Sequence, residues 1–225
     1  MSEHLQKEMT GLKERVLRLC ASVEHQLARA VAALRERDTE LARGVIAADP
    51  EIDRMEVLLE EDALEILALQ QPVAIDLRVI VASIKINADL ERIGDLAVNI
   101  AERAEYLASR GAVADGLDFA TMSEQVMTML RGALDAFVRM DVDAARRVCA
   151  ADDEVDAMNR AMYDTVKAAI ERGSSEANAL VHLLSVSRHL ERIADHATNI
   201  AEEVIHVATG EIVRHKAENY MRVAR

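Results

Sequence analysis

Leu90 to Glu102 reads LERIGDLAVNIAE and Leu190 to Glu202 reads LERIADHATNIAE, with ten of the thirteen positions identical. Two copies of one pattern, a hundred residues apart in a chain of 225, ask for the same local structure twice. The repeat spreads beyond the motif. Leu27–Asp53 aligns without gaps on Leu130–Asp156, which sets Asp38 on Asp141, Asp49 on Asp152 and Asp53 on Asp156. The chain is therefore expected to fold as two equivalent units.

Apolar periodicity gives each unit three helices. In the first, Leu5, Met9, Leu12, Val16, Leu19, Val23, Leu27 and Val31 recur at three- and four-residue steps, which marks an amphipathic helix from about His4 to Arg37. Asp38 is a natural N-cap for a second helix reaching about Leu69, and Pro50 inside it predicts a kink. Pro72 suits the first turn of a third helix, about Val73 to Ser109, which carries the first motif. Arg110–Gly116 reads as the loop between the units. Helices over about Leu117–Arg139, Asp141–Glu171 and Glu176–Ala208 follow, with a turn at Gly173-Ser174-Ser175 and a stop at Gly210.

Short connections between amphipathic helices pack as antiparallel bundles. The predicted fold is all-α, two tandem three-helix bundles related by internal duplication, over 1–110 and 117–209, with a C-terminal tail over 210–225. Composition agrees: apolar residues reach 51%, yet the chain has no Trp and only two Pro, so Ala, Leu, Val and Met carry the core. Met122, Met127, Met129 and Met140 read as core filler. A net charge of −13 argues against nucleic acid, whose phosphates need clustered Lys and Arg. Cys20 and Cys149 lack a CxxC spacing and point to a reducing, cytoplasmic setting. No apolar run is long enough for a membrane span and the first residues contain no signal-peptide core, so membrane contact is expected only through partners.

On the motif helices Glu91, Asp95, Asn99 and Glu102 fall within an arc of roughly 80°, opposite Ile86, Ile93, Ala97, Ile100 and Ala104. Glu191, Asp195, Asn199 and Glu202 repeat that row. The plain reading is a solvated face, in which Arg92 pairs with Asp95 and Arg192 with Asp195 three residues on. The sharper reading is an all-oxygen surface for hard cations or iron, because acids four residues apart repel and both units accept that cost. His182, His189 and His196 stand seven residues apart, about 10.5 Å of rise, too far for neighbours to share an ion. Glu203 and His206 make one ExxH match where a di-iron bundle needs two. Phosphate-loop, dinucleotide, nucleophile-elbow and HExxH signatures are missing from the sequence.

The doubled LERIxDxAxNIAE, the paired DxxxD helices and the QQPVAIDLR entry to the third helix resemble the PhoU family of bacterial phosphate-signalling regulators. The resemblance covers nearly the whole chain. It implies a cytoplasmic, non-enzymatic negative regulator of the phosphate-starvation response and of phosphate uptake. Such a protein links the ATPase of the phosphate-specific ABC transporter to a sensor histidine kinase, and a homodimer is expected. It further implies ExxxD carboxylates at Glu91/Asp95 and Glu191/Asp195, which in some relatives hold iron or zinc; Mg or Mn would suit the same oxygens. Asn99, Glu102, Asn199 and Glu202 would be the next ligands, and Asp49, Asp53, Asp152 and Asp156 could complete each site from the adjacent helix. Arg92 and Arg192 are candidate partner contacts. The alternative is a metal-binding helical protein with a storage or transport-accessory role outside kinase signalling. The one departure inside the motif, Ala194 in place of Gly94, is expected to be neutral.

Overall fold

The computed structural model describes residues 3–110, 117–211 and 213. They form six helices: α1 (Glu3–Glu36), α2 (Thr39–Gln70), α3 (Ala74–Ala108), α4 (Phe119–Arg139), α5 (Val142–Glu171) and α6 (Ala177–Thr209). The expected loop residues 111–116 and most of the basic tail, 214–225, lie outside the described residues.

Local chemistry sets the breaks. Asp38 accepts the Leu41 N–H at 2.9 Å and Asp141 accepts the Ala144 N–H at 2.9 Å, so the aligned aspartates cap α2 and α5 alike. Asp118 does the same for α4 through the Thr121 N–H. Gly210, at φ +78°, closes α6 in the left-handed region open to glycine. Pro50 lies inside α2, which continues through it as helix.

Pro72 does not enter α3 as expected. Val73, extended at φ −128° and ψ 161°, is the cap residue, and Pro72 stands one place before it. The ring disfavours a right-handed helical conformation for the residue it follows, and Gln71 is left-handed at φ 46°. Ala74 is left-handed too, at φ 51°, a conformation that costs an L-residue about 1–2 kcal/mol. Pro72 itself is buried between them, so the α2–α3 turn is a fixed corner.

Within each unit the third helix packs on both others, α3 on α1 and α2, α6 on α4 and α5. The units are joined chiefly along α3 and α6, where Lys85 meets Glu203, Asp89 meets Asn199, and Tyr106 stacks on His182 at 3.8 Å. Numbers rise along one helix as they fall along the other, so α3 and α6 run antiparallel. Lys85 lies nine residues before Gly94 and Glu203 nine after Ala194; the other two pairs are equally matched, at five and at twelve. The seam is thus centred on the middle of the two motifs. A single apolar core runs across it, from Leu12, Leu19 and Leu27 through Ile86, Ile93 and Ile100 to Ile193, Ile200, Met122 and Leu130.

Ala194 is accommodated in the core of the second unit, and Gly94 meets a different neighbour in the first. A Cβ on Gly94 would stand 3.3 Å from Ile52 Cγ2, a tight contact to which the Ile52 side chain would have to yield by a few tenths of an ångström. In the second unit the residue aligned with Ile52 is Val155, one methylene smaller, and there the motif carries Ala194. Ile with Gly, and Val with Ala, keep the summed volume nearly constant, as close packing requires.

Candidate functional site

Antiparallel packing of α2 on α3 brings Asp49, Asp53 and Glu56 beside Glu91 and Asp95. Burial, then Asp53 and Asp95, push the Asp49 carboxyl above its ordinary range, against the Gln26 amide that donates to it at 3.3 Å. Glu91 is raised by burial and then by Asp95, with Glu56 and Asp53 adding and Arg92 opposing. Glu56 is raised by burial, then by Glu60 and Asp53. The α5–α6 pair repeats this. Asp152 is pushed up to about 6 by burial, then by Asp195 and Asp156. Glu191 rises through burial, Asp195 and Asp156, and Asp195 through burial and Asp156. Each unit therefore holds a carboxylate cluster built from two helices, and the pairing of Asp49/Asp53 with Glu91/Asp95, and of Asp152/Asp156 with Glu191/Asp195, follows the expected set.

The outer members of the row go elsewhere. Asn99 donates to the Asp95 backbone carbonyl at 2.8 Å, so its amide is folded onto its own helix. Asn199 donates to Asp89 on α3 at 3.1 Å, and His196 Nδ1 lies 2.8 Å from the same oxygen. Glu102 pairs with Arg103, while Glu202 is only 7% exposed rather than solvated, because α5 covers it near Cys149. Arg92 reaches Glu91 and Asp95 at 3.4 Å each, but the expected pair of Arg192 with Asp195 is not formed among the described residues. Arg192 only lies near enough to draw the Asp195 and Glu191 carboxyls down somewhat.

Three residues here had no signal in the local spacing. Glu56 accepts from Asn87 through its backbone carbonyl at 2.9 Å, and the aligned pair in the second unit is Asn159, which accepts from Ser187 at 2.6 Å. The first cluster therefore has one more carboxylate than the second. Asp89 clamps α6, and Glu203, 3% exposed, takes Lys85 at 3.2 Å through both oxygens. Only the alignment of Asp89 with His189 hinted that this position differs between units. His189 itself is held near 4, by burial and then by Arg103, Arg192 and Arg188, and both its ring nitrogens are buried without a hydrogen-bond partner.

An oxygen-only donor set fits a hard cation, and a divalent ion would offset the burial, and after it the mutual repulsion, that raise these groups. As the side chains stand, no three Asp, Glu, His or Cys converge on a common point among the described residues. A cavity of about 850 Å³ between α1 and α4, lined by Val31, Leu34, Phe119 and Met127, contains none of these residues. No helix among the described residues is long and apolar enough to cross a membrane.

The clusters make a pH-dependent cost. A carboxyl whose folded pKa exceeds its unfolded value binds more protons in the folded state, so stability falls as pH rises between the two values. For Asp152 that window is 3.8 to about 6. The rise would correspond to about 3 kcal/mol unscreened, reduced to about 1 kcal/mol by solvent reaching a half-buried group. In chelator-treated protein at pH 7.5, Asp152→Asn should therefore raise Tm by about 2–4 °C, and the gain should vanish below about pH 4. A variant that melts with wild type at pH 7.5 would show that the cluster carries no strain.

A model of the PhoU domain matches residues 16–104 and 119–204, one copy on each unit. The phosphate-specific transport system accessory protein PhoU homolog of Caulobacter vibrioides is 38% identical, over 94% of each chain. PhoU homolog 1 of Thermotoga maritima is 37% identical, over 92% of this chain and 90% of that one. Among solved structures, PhoU from Pseudomonas aeruginosa superposes with a TM-score of 0.89 at 36% identity, covering 92% of this chain and 99% of that one. The phosphate transport system regulatory protein PhoU from Streptococcus pneumoniae gives 0.86 at 27% identity, covering 93% and 99%.

Proposed function

The chain belongs to the PhoU family, and on that premise we propose that it is a cytoplasmic negative regulator of phosphate uptake and of the phosphate-starvation response. It works as an adaptor, not an enzyme, bridging the phosphate-specific ABC transporter and a sensor histidine kinase. The observation that carries this reading is the end-to-end match, over both units, to proteins named for the accessory role in phosphate-specific transport. An adaptor acts by binding one state of a partner better than another. Two similar acidic faces on one rigid core suit that task better than a single closed cleft would.

The carboxylate clusters support a second, compatible reading, that a divalent cation is part of the working form. Asp49, Asp53, Glu91 and Asp95 would hold it in the first unit, and Asp152, Asp156, Glu191 and Asp195 in the second. When bound it would supply positive charge to an otherwise anionic docking face. Iron, zinc, Mg or Mn are the candidates, and self-association into a homodimer belongs to the same proposal.

The decisive experiment is alkaline phosphatase activity in a deletion strain grown with abundant phosphate. High activity, returned to the low level by the intact gene, is the expected result. Activity unchanged by the deletion would remove the regulatory reading and leave a metal-binding or transport-accessory role. The variant carrying Glu91→Ala, Asp95→Ala, Glu191→Ala and Asp195→Ala should stay helical yet fail to restore repression; full repression by it would exclude the clusters from function.

A further inference from the structure

The two units are each other's control, and they disagree at one end. At the α2–α3 corner Leu64, Leu69, Val73, Ile75 and Leu77 are 40% to 72% exposed. Continuing the alignment of α2 on α5 sets Leu64 against Lys167 and Leu69 against Arg172. The motif register sets Val73 against Gly173, Ile75 against Ser175 and Leu77 against Ala177. Buried positions of the same helices stay apolar in both units: Leu59 with Met162, Ile80 with Leu180, Ile86 with Val186. The second unit turns by a different route, through Gly173 at φ +80°, and carries polar or small residues at these matched positions, with Ile170 as the exposed aliphatic beside its turn. Exposed aliphatics gathered on one tip mark a contact surface.

Charge separates the tips as well. From Met55 to Leu77 the chain has six carboxylates and no Lys, Arg or His. One of them, Asp62, is occupied by Arg15; Glu60, Glu61 and Glu65 stand exposed around the aliphatic residues. The corresponding Met158–Ala177 has three acids and three bases. Along α2 and α3 the first tip is thus anionic and exposes more aliphatic surface, with Lys13 of α1 beside Ile75 and Asp76, while the second is balanced in charge and exposes Tyr163 and Ile170. Pro72, buried between the left-handed Gln71 and Ala74, has its own φ fixed by its ring.

We propose that the α2–α3 tip is the docking surface for an amphipathic helix of another protein, one that carries Lys or Arg beside its aliphatic stripe. The occupant follows from complementarity: an apolar face ringed by carboxylates matches an apolar face ringed by cations. An anionic lipid surface would be repelled by the same ring. A second copy placed tip to tip would set carboxylate against carboxylate. This inference rests on the reading that the chain works by docking to proteins, and names the place where one of them binds.

The test uses the full purified chain and a synthetic helical peptide of Leu and Lys in heptads, with a Leu and Glu peptide as its control. Wild type should bind the Lys peptide and not the Glu peptide. Leu69→Ser/Leu77→Ser, which removes apolar surface without altering charge, should bind about tenfold more weakly, equivalent to roughly 1.4 kcal/mol. Leu64→Lys/Leu69→Arg/Ile75→Ser/Leu77→Ala, which installs the second unit's residues, should keep wild-type helicity and lose binding further. Undiminished binding by the serine variant would reduce the effect to charge alone and overturn the proposal. Binding of wild type to phosphatidylglycerol vesicles that the variants lose, or a dimer in sedimentation that the variants dissolve, would overturn it in favour of a lipid or a second copy. Because binding is read on purified protein, its outcome is independent of the alkaline phosphatase experiment.

Discussion

Gly94→Leu should cost about 3 kcal/mol and lower Tm by roughly 6–12 °C, because the new side chain has to grow into the space of Ile52. The first atom of that side chain already meets Ile52 Cγ2 at 3.3 Å, and Asp49 Oδ1 lies 4.0 Å away. Relief requires α2 to move off α3, which also separates Asp49 and Asp53 from Glu91 and Asp95. Gly94→Ala is the finer probe. Alanine gains about 1 kcal/mol of helix propensity over glycine but presses on Ile52. Gly94→Ala/Ile52→Val reproduces the second unit's combination and should be at least as stable as wild type by urea unfolding. If Gly94→Leu melts with wild type, the helices are not held at a spacing set by this residue.

The second large effect lies on the seam between units. Lys85→Met should destabilise by about 2 kcal/mol, since it strips Glu203, 3% exposed, of the ammonium that meets both its oxygens at 3.2 Å. The figure sits below the usual cost of breaking a fully buried pair because the Lys85 side chain is itself 40% exposed and water can follow it in part. Lys85→Met/Glu203→Leu should recover part of the loss, since no carboxylate is then buried beside the methionine. A double-mutant cycle on the two positions should give a coupling of about 1–2 kcal/mol. A coupling indistinguishable from zero would mean that the apolar seam alone sets the association of α3 with α6.

What the chain reveals before folding is what lies within one helix. Asp38 and Asp141 announce their helices because a cap bonds its own next turn. The core faces of both motifs are legible because three- and four-residue steps suffice to define a stripe. The inner pairs of each carboxylate cluster are legible for a second reason, the ungapped alignment that carries Asp49 and Asp53 onto Asp152 and Asp156. Asp89 was not, because its partners His196 and Asn199 stand more than a hundred residues away and meet it only once α6 arrives antiparallel. The burial of Glu202 was not legible for the same reason: its angle on α6 matches that of Glu191, yet α5 reaches over it. Nothing along α3 itself shows that Ile52 Cγ2 comes within 3.3 Å of where a Cβ on Gly94 would stand. Periodicity reports a side chain's direction; it is silent on what comes to cover it.

The antiparallel seam of α3 and α6 has the form that two separate subunits would present around a two-fold axis. Held in one chain, it never faces dilution: the halves meet at an effective concentration fixed by the short tether between them, whatever the amount of protein in the cell. Joining also removes the obligation to repeat every contact. Two separate subunits would have to place Asp89 against His196 at both ends of the axis, whereas here one end carries that pair and the other carries His189 and Leu96. Fusion thus permits one face of a symmetric body to take up work that the other does not share.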